Sequence, residues 1–450
     1  MTKIALIYPS RTKETNSEEL LYSPLALAYL GRHTPGHFQI ASYDEYVGED
    51  VDPGKVDADI VAMSAITPGI SRSYELADQF RKRGIYCVGG GAHLTALPAE
   101  GLCHFDTVIR GEGEQPWREF LADFDQGSPK PDYFGAMNVS LDGLGTPRRD
   151  LIHKNYEYPS VLTSRGCPYN CSFCYLTVYR PRKYRLIPND TIIEDLDTLR
   201  GNRIVVITDE NFMGYSQKDI EQRKILLERM IQKNYGFYWG CQSVINLADE
   251  PELMELMHRA GCRAVFIGFE SVSEEGLKEV NKRQNCGVNY KEAIKKIHDH
   301  KIGVIASCIF GMDSHGKDYP RQLIRSLKEA KADFPRLFFM TAWPGTPLFD
   351  KLEKEGRANR DWDQVRKDMP SIQFKNFSHQ EAMAARKEIL DACFSPFRIV
   401  WTVMRWIFKD RSIIVTFVRM CLRNRVFEYV KRFRVHRFWR RQLQALAASK

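Results

Sequence analysis

The sequence predicts an α/β protein with a doubly wound parallel sheet, a partial β/α barrel and a helical C-terminal segment. Three observations support this fold class. Short apolar runs alternate with helix-like stretches over the first 140 residues, a second alternating series starts at residue 159, and the chain from about residue 378 is helical in pattern. Strands that alternate with helices are typical of parallel sheets, which bind ligands at the carboxyl ends of their strands.

The first series predicts a doubly wound sheet within residues 1–140. Its loops SAITPG, GGGAHLT and RGEGEQ follow predicted strands, where glycine lets the backbone approach a large ligand; ordinary strand-to-helix turns are the alternative. Residues 125–155 are rich in Gly, Pro and Asp and predict a linker. The predicted strands are 3–8, 38–43, 58–66, 85–91 and 106–113, with helices near 24–32, 71–83 and 114–124.

The second series predicts a domain within residues 155–375. Six strand-then-helix units form a curved parallel sheet, a partial version of the eight-fold barrel, with its chemistry at the carboxyl ends of the strands. The predicted strands are 160–164, 203–209, 235–244, 263–271, 302–312 and 335–343, and helices fall between them, such as 216–233, 250–260, 273–283 and 319–331.

The charge is concentrated in the C-terminal segment, residues 376–450. The net charge of the chain is +8, and residues 396–450 alone hold 14 Lys and Arg against two Asp and Glu. The remainder therefore gives no reason to expect a nucleic-acid partner. The apolar runs IVWTVM and SIIVTFV of the C-terminal segment are separated by charged residues, and each is too short to span a membrane. An amphipathic helix on an anionic membrane surface and a helix packed on the protein's own body both remain open.

The cysteines point to a reducing compartment. The chain has 11 of them, scattered apart from one central trio, and no secretory signal is visible. We therefore expect free thiols in the cytoplasm, with the C-terminal segment as a means of contacting the inner membrane face.

The central trio is Cys167, Cys171 and Cys174, in the stretch RGCPYNCSFCYL. Thiolates bind soft metals, and a four-iron cluster takes one from each iron, so three ligands leave one iron open. A structural zinc site requires a fourth ligand, and the nearest histidine in sequence is His153 on the linker side. Arg165 and Gly166 suit charge compensation and a tight turn at the start of the loop.

This spacing, with Phe173 before the last cysteine, resembles the signature of the radical S-adenosylmethionine (SAM) superfamily. The resemblance implies a 4Fe–4S cluster on the three cysteines and SAM on the open iron. It also implies a 5′-deoxyadenosyl radical that abstracts hydrogen from an unactivated carbon. Phe173 would then lie at the cofactor.

Further stretches extend the resemblance along the barrel. In TDENF, Asp209 and Glu210 would face the SAM amino group; in IGFESVSEEGLKEVNK, Glu270 would meet the SAM end of the site. Gln242, with Asn246, would touch the ribose. AWPGTPLF, residues 342–349, resembles the loop after the sixth strand in one subgroup. No catalytic residue is identified.

A doubly wound, Rossmann-like domain ahead of such a barrel resembles the cobalamin-binding radical SAM enzymes. Residues 1–140 would be the cobalamin-binding domain and 155–375 the radical SAM domain. The loop YPSRTKETNSEELLYSP lacks the histidine motif that places a lower ligand on cobalt, so cobalamin is expected without a protein histidine. A relic domain that binds no cobalamin is the alternative. The implied contacts are Gly89, Gly90, Gly91, Thr95, Gly111 and Glu112.

The arrangement is similar to the group that contains the anaerobic Mg-protoporphyrin ester cyclase, the bacteriochlorophyllide-modifying enzymes and the hopanoid methylases. It implies methylation, or oxygen-independent hydroxylation or oxidation, of an alkyl carbon in a hydrophobic intermediate. A (bacterio)chlorophyll-type tetrapyrrole is favoured, and a lipid or hopanoid C-methyltransferase is the runner-up. A flavodoxin or ferredoxin would donate electrons. A non-catalytic iron–sulfur or cobalamin carrier is the alternative from another class.

Overall fold

The computed structural model describes residues 1–10, 22–48, 50–179 and 182–409. It contains two six-stranded parallel sheets and one two-stranded antiparallel ribbon among these residues. The strands are β1 Lys3–Tyr8, β2 Gln39–Asp44, β3 Ile60–Ser64, β4 Tyr86–Gly90, β5 Thr107–Gly111, β6 Asp132–Gly135, β7 Ser160–Val161, β8 Ser164–Arg165, β9 Arg185–Leu186, β10 Ile204–Ile207, β11 Tyr238–Ser243, β12 Cys262–Glu270, β13 Gly303–Phe310 and β14 Phe334–Phe339.

Helices connect these strands and cover both sheets. They are α1 Ala26–Arg32, α2 Ile70–Lys82, α3 Ala92–Ala96, α4 Pro98–Gly101, α5 Glu114–Asp125, α6 Asn189–Asp197, α7 Gln217–Lys233, α8 Pro251–Arg259, α9 Glu274–Glu279, α10 Tyr290–Asp299, α11 Tyr319–Glu329, α12 Pro347–Lys354, α13 His379–Cys393 and α14 Pro396–Lys409.

The first sheet has the strand order β2-β1-β3-β4-β5-β6, and every pairing in it is parallel. This is the doubly wound arrangement, and all five predicted strands are present. The order reverses between β1 and β3, so a crevice opens at their carboxyl ends. The linker prediction is wrong at Asp132–Gly135, because these residues form β6 on β5. Strand β6 alternates only briefly, with Tyr133 buried and Phe134 exposed, and the surrounding Gly and Pro residues obscure this pattern in the sequence.

The second sheet has the sequential order β14-β13-β12-β11-β10-β7, again with parallel pairings only. Six successive β–α units give the predicted partial barrel. Its strands are apolar because helices cover their outer face, as the fully buried Val265, Ile267 and Val304 illustrate.

The two sheets share a hydrophobic core. Met63 and Leu94 of the first sheet's domain and Met312, Met340 and Phe349 of the barrel belong to one buried cluster. Polar contacts also cross this boundary. The backbone N–H of Ser160 donates to the Ser23 Oγ at 3.0 Å, and Trp362 Nε1 donates to Glu100 Oε1 at 2.9 Å. These contacts join the first domain to the barrel.

The C-terminal helices begin as expected near residue 378. Ser378 caps α13 with a capping box. Helix α14 is anchored on the body, since Trp406 is buried and its Nε1 donates to Asp333 Oδ1 at 2.8 Å. The basic tail from residue 410 lies outside the described residues. Among the described helices, none combines the length and apolarity that crossing a membrane requires.

Candidate active site

The cysteine loop occupies residues 166–184, between strands β8 and β9. It starts with Gly166 at φ 88°, where a Cβ would lie 2.3 Å from the Lys183 carbonyl oxygen, so the tight turn requires glycine. Burial raises the pKa of all three thiols, to about 12 for Cys174. The charges of Cys171 and Cys167 also raise the pKa of Cys174.

Three thiols in one small region fit a four-iron cluster. No group of three or more His, Cys, Asp or Glu side chains in the described part of the chain has the geometry to hold a single metal ion. A four-iron cluster makes no such demand, because each thiolate binds a different iron.

The backbone of the loop is held from two sides. The Ser172 N–H donates to the Val280 carbonyl at 3.0 Å, and the Ser172 carbonyl accepts from the Leu348 N–H at 3.0 Å. Leu348 belongs to the AWPGTPLF stretch, whose Thr346 caps α12 by accepting from Phe349 N–H at 3.2 Å. This stretch therefore supports the cysteine loop. Phe173 packs, partly buried, against the core that the two sheets share.

Glu270 lies at the end of β12, beside the cysteines. It adopts φ 62°, a strained conformation for a non-glycine residue, at an irregularity in the pairing with β13. Burial raises its pKa, and the Lys282 Nζ, 3.3 Å from its Oε1, opposes that rise. Burial alone would lower the pKa of Lys282, but Glu270 and the cysteine charges outweigh it, so the pKa is raised. Lys282 thus brings a buried positive charge to the cysteines.

Glu210 faces the start of the cysteine loop. Its Oε2 accepts from the Gly166 N–H at 3.2 Å. Burial raises its pKa to about 7, and neighbouring Asp209 adds to the rise. This carboxyl can hold or release a proton near neutral pH, which suits an interaction with an amino group at the cluster.

Asp209 has a different position from the one predicted. It is fully buried, and its carboxylate accepts from Thr163 N–H at 2.7 Å, Ser164 Oγ at 2.6 Å and Arg223 Nη2 at 2.7 Å. All its lone pairs face the protein, so it joins β10 to the segment before the cysteine loop instead of facing a cofactor. Sequence reasoning ranked the two acidic neighbours together because only the fold separates them.

Gln242 and Asn246 follow the third barrel strand. Gln242 is exposed at the end of β11. The Asn246 Oδ1 and the neighbouring Ser243 Oγ are buried without a hydrogen-bond partner. Polar atoms of this kind are rare in folded proteins, and they fit a ligand with hydroxyl groups.

Two acidic residues of the first domain also reach the loop. Glu114 accepts from Arg165 at 2.5 and 3.1 Å, and Glu112 accepts from Arg185 in a two-pronged contact and lies 3.6 Å from Arg165. Burial alone would raise the pKa of Glu114, but Arg165 lowers it. Glu112, Glu114, Arg165 and Arg185 are therefore joined by ion pairs. The cofactor contact of Glu112 and the charge compensation by Arg165 stay predictions.

The predicted glycines of the first domain have several roles. Gly89 is packed, since a Cβ would lie 2.6 Å from Leu94 and 2.7 Å from Phe105. Gly91 and Gly111 form tight turns at φ 107° and φ 77°. A Cβ at Gly91 would lie 2.5 Å from the Ala65 carbonyl oxygen, and one at Gly111 would lie 2.3 Å from the Gly135 carbonyl oxygen. Gly90 ends β4. Thr95 Oγ1 accepts from the Gly111 N–H at 3.0 Å and donates to the Gly91 carbonyl at 2.8 Å, so it joins the two turns.

Tyr175 directly follows the last cysteine of the loop and exposes 47% of its surface. Desolvation raises the pKa of its hydroxyl well above the usual value, and the charges of Glu210 and Cys174 add to the rise. An exposed aromatic ring therefore stands beside the cysteine loop.

A comparison with protein families decides the nature of the barrel. Residues 161–345 match the model described as the radical SAM superfamily. These residues form a radical SAM domain. The chain is therefore a radical SAM enzyme, a class that uses a 4Fe–4S cluster and SAM.

Curated relatives span most of the chain. The bacteriochlorophyllide d C-12(1)-methyltransferase of Chlorobaculum tepidum is 27% identical over 80% of this chain and 80% of its own length. The hopanoid C-2 methylase of Rhodopseudomonas palustris is 23% identical over 88% of this chain and 77% of its own. The chain is similar to both across the two sheets.

A solved structure shows the same fold. It is a radical SAM methyltransferase from Kitasatospora setae with cobalamin and a [4Fe–4S] cluster bound. It superposes with a TM-score of 0.65 at 17% identity, covering 79% of this chain and 78% of that one.

Sequence reasoning did not single out three neighbours of the cysteines. Lys282 pairs with Glu270, Gln284 Nε2 lies 3.8 Å from the Cys171 Sγ, and Asn281 Nδ2 donates to the Asn170 carbonyl at 2.8 Å. All three belong to the polar run NKRQN after α9. A polar run directly after a motif at a strand end is a usable signal.

Proposed function

We propose that this enzyme methylates an unactivated alkyl carbon of a hydrophobic tetrapyrrole, with SAM and a 4Fe–4S cluster bound by Cys167, Cys171 and Cys174. The observation that carries the proposal is the exposed ring of Tyr175, which directly follows the cysteine ligand Cys174. An exposed aromatic ring suits stacking on a large flat ligand. The similarity to a bacteriochlorophyllide methyltransferase over four-fifths of both chains supports a tetrapyrrole.

The bound cluster and SAM would supply the radical chemistry, and this chain's residues would position them. We assign Glu210 to the SAM amino group, since its carboxyl lies at the loop and has a pKa of about 7. Ser243 and Asn246 suit the ribose because their buried oxygens lack partners. Lys282 would offset the negative charge of the thiolates.

We further propose cobalamin at the carboxyl edge of the first sheet. Ile66 follows β3 at the crevice where the strand order reverses, and it exposes 56% of its surface. The Gly91 turn approaches the carbonyl of Ala65, the residue before Ile66, and an exposed apolar residue beside this turn fits a broad, largely apolar cofactor face. The structure described here has neither His33 nor His37 at that edge. His33 Nε2 contacts the Leu144 carbonyl at 3.1 Å and His37 Nε2 contacts Asp125 at 2.8 Å.

The helix α14 supports a proposal of membrane contact. Phe397, Val400, Trp401 and Met404 are exposed along one face, with Phe397 at 81%. Arg398 fastens the opposite face to the body through the Leu327 and Ala332 carbonyls, at 3.0 and 3.1 Å. An apolar stripe followed by a basic tail suits an anionic membrane surface. Sedimentation with phosphatidylglycerol vesicles tests this; Trp401→Ser should reduce binding, and equal binding by that variant would contradict it.

The reaction also requires an external electron donor, which we propose to be a flavodoxin or ferredoxin. Reduction of the reconstituted cluster by either protein, followed by absorbance, tests this. Failure of both, when dithionite succeeds, would contradict it.

The main experiment joins chemistry to substrate. Anaerobically reconstituted protein, with reductant, cobalamin and SAM, should release 5′-deoxyadenosine, and bacteriochlorophyllides should gain the mass of one methylene group. Release of 5′-deoxyadenosine without any tetrapyrrole product would leave the enzyme class intact and overturn the substrate. A gain of mass in hopanoid extracts instead would favour the lipid methylase, which the similarity to a hopanoid C-2 methylase makes the second candidate.

A further inference from the structure

The base of the cysteine loop is a very short antiparallel ribbon. Strands β8 and β9 pair only through Ser164 with Leu186 and Arg165 with Arg185. We call these four residues the neck, because the loop that holds the three cysteines leaves and returns through them. A two-stranded ribbon of this length is marginally stable without support from elsewhere.

The neck contains a repulsive pair. Arg165 and Arg185 stand directly opposite each other in the register. Like charges at directly opposite positions destabilise a pair of strands. Both side chains are largely buried, which reduces screening by solvent. The repulsion between Arg165 and Arg185 should therefore open the neck if nothing neutralises them.

Two glutamates of the first domain neutralise this pair. Glu114 accepts from Arg165 at 2.5 and 3.1 Å, and Glu112 accepts from Arg185, with Nη1 at 2.9 Å. Glu112 also lies 3.6 Å from Arg165, so the two ion pairs form one network. Two-pronged contacts between arginine and carboxylate fix geometry as well as charge.

The glutamates themselves are on rigid backbone. Glu112 follows Gly111, whose φ of 77° and close approach to the Gly135 carbonyl fix the turn. Glu114 is the first residue of α5. The first domain thus holds the loop at its neck through both ion pairs.

We propose that Glu112 and Glu114 are positioning residues for the iron–sulfur cluster, which keep the neck of the cysteine loop closed by neutralising two opposed arginines. The inference rests on the proposed function, because it takes the loop to bind a cluster. It gives the first domain a role at the cluster that is independent of any cofactor of its own.

The test measures how fast the reconstituted protein loses iron to a chelator. In Glu112→Gln, Arg185 keeps a buried charge without a carboxylate to neutralise it, and we expect iron loss about tenfold faster than in the wild type. The matched control is Glu45→Gln, which removes a similar two-pronged, buried pair with Arg72 after β2, at the edge of the first sheet opposite to β5 and β6. It should lose iron at the wild-type rate.

A second variant separates charge from packing. In Glu112→Gln with Arg185→Gln, the opposed charges are gone, and iron loss should return to within about twofold of the wild type. A purely structural role for Glu112 would not be restored by a second substitution. Equal rates for wild type and Glu112→Gln would overturn the inference, and so would a double variant as fast as the single one.

The outcomes also separate this inference from the proposed function. Wild-type protein that binds no cluster would refute the function itself. If the wild-type protein binds a cluster and releases 5′-deoxyadenosine, but Glu112→Gln loses iron at the same rate, only the proposed role of the glutamates at the neck would be refuted. The thermal midpoint of the cluster-free variants shows whether each of them folds.

Discussion

The carboxyl edges of the two sheets differ in how they carry charge. The barrel edge holds buried ionic groups, including the Asp209–Arg223 and Glu270–Lys282 pairs and the protonatable Glu210. The part of the first sheet's edge that follows β3, β4 and β5 has glycine turns and the exposed Ile66, and its Glu112 and Glu114 turn towards the cysteine loop. The barrel edge suits charged, redox-active groups, and the other edge suits a broad apolar ligand.

This difference predicts that the barrel edge loses its iron–sulfur cluster completely when one of the three thiols is removed. Cys174→Ala should abolish cluster absorbance and 5′-deoxyadenosine release, because the cluster loses one of three protein ligands. Cys241→Ala is the control, since Cys241 is buried in the barrel core and away from the loop. Iron analysis and absorbance decide the matter. A Cys174→Ala protein with a full cluster would remove the basis of the comparison.

The next largest effect is on stability at the barrel edge. Asp209→Ala leaves Arg223 fully buried without its partner, and we expect a loss of about 3–5 kcal/mol in the free energy of unfolding. Asp106→Asn breaks the more exposed pair with Arg81 and should cost less than about 1 kcal/mol. Urea unfolding of cluster-free protein measures both. Equal losses would mean that the burial of an ion pair does not determine how much the pair contributes to stability.

Glu210 should make the stability of the cluster-free protein depend on pH. Burial raises its folded-state pKa to about 7 from 4.5, so the folded state binds the proton more tightly. Its contribution to stability is full below pH 4.5 and is lost as the pH rises to about 7. Glu210→Gln should flatten this part of the stability profile of cluster-free protein. An unchanged slope would place the titration on another group.

The smallest effect concerns the first sheet's edge. Ile66→Lys puts a charge on the proposed cobalamin face and should weaken cobalamin binding about tenfold, or 1.4 kcal/mol. Leu102→Ser changes an exposed apolar residue elsewhere in the same domain and should bind normally. Equilibrium dialysis with absorbance detection measures both variants. Equal retention by Ile66→Lys would contradict the proposed position.

Much of the fold was predictable because its signals are local. Each predicted strand of both sheets is present, since buried parallel strands read as continuous apolar runs. The exception, β6, is a short edge strand whose alternation is obscured by neighbouring glycine and proline. The cysteine trio was also readable, because all three ligands lie within one loop.

The partners of the charged residues were not predictable in the same way. Asp209 and Glu210 are adjacent in sequence, yet one is saturated by Thr163, Ser164 and Arg223 and the other faces the loop. Lys282 became part of the site only because a turn after α9 brings it to Glu270. Such pairings join distant parts of the chain, and no local pattern encodes them.

The sequence by itself determined the two alternating β–α series, the three thiol ligands and the basic C-terminal tail, because each is a property of neighbouring residues. Only the tertiary structure decided which carboxylates are free and which are paired. It also showed that Glu112 and Glu114, from the first domain, neutralise Arg165 and Arg185 at the neck of the cysteine loop. The physical reason is that a charge finds its partner through space, and the fold alone sets that distance.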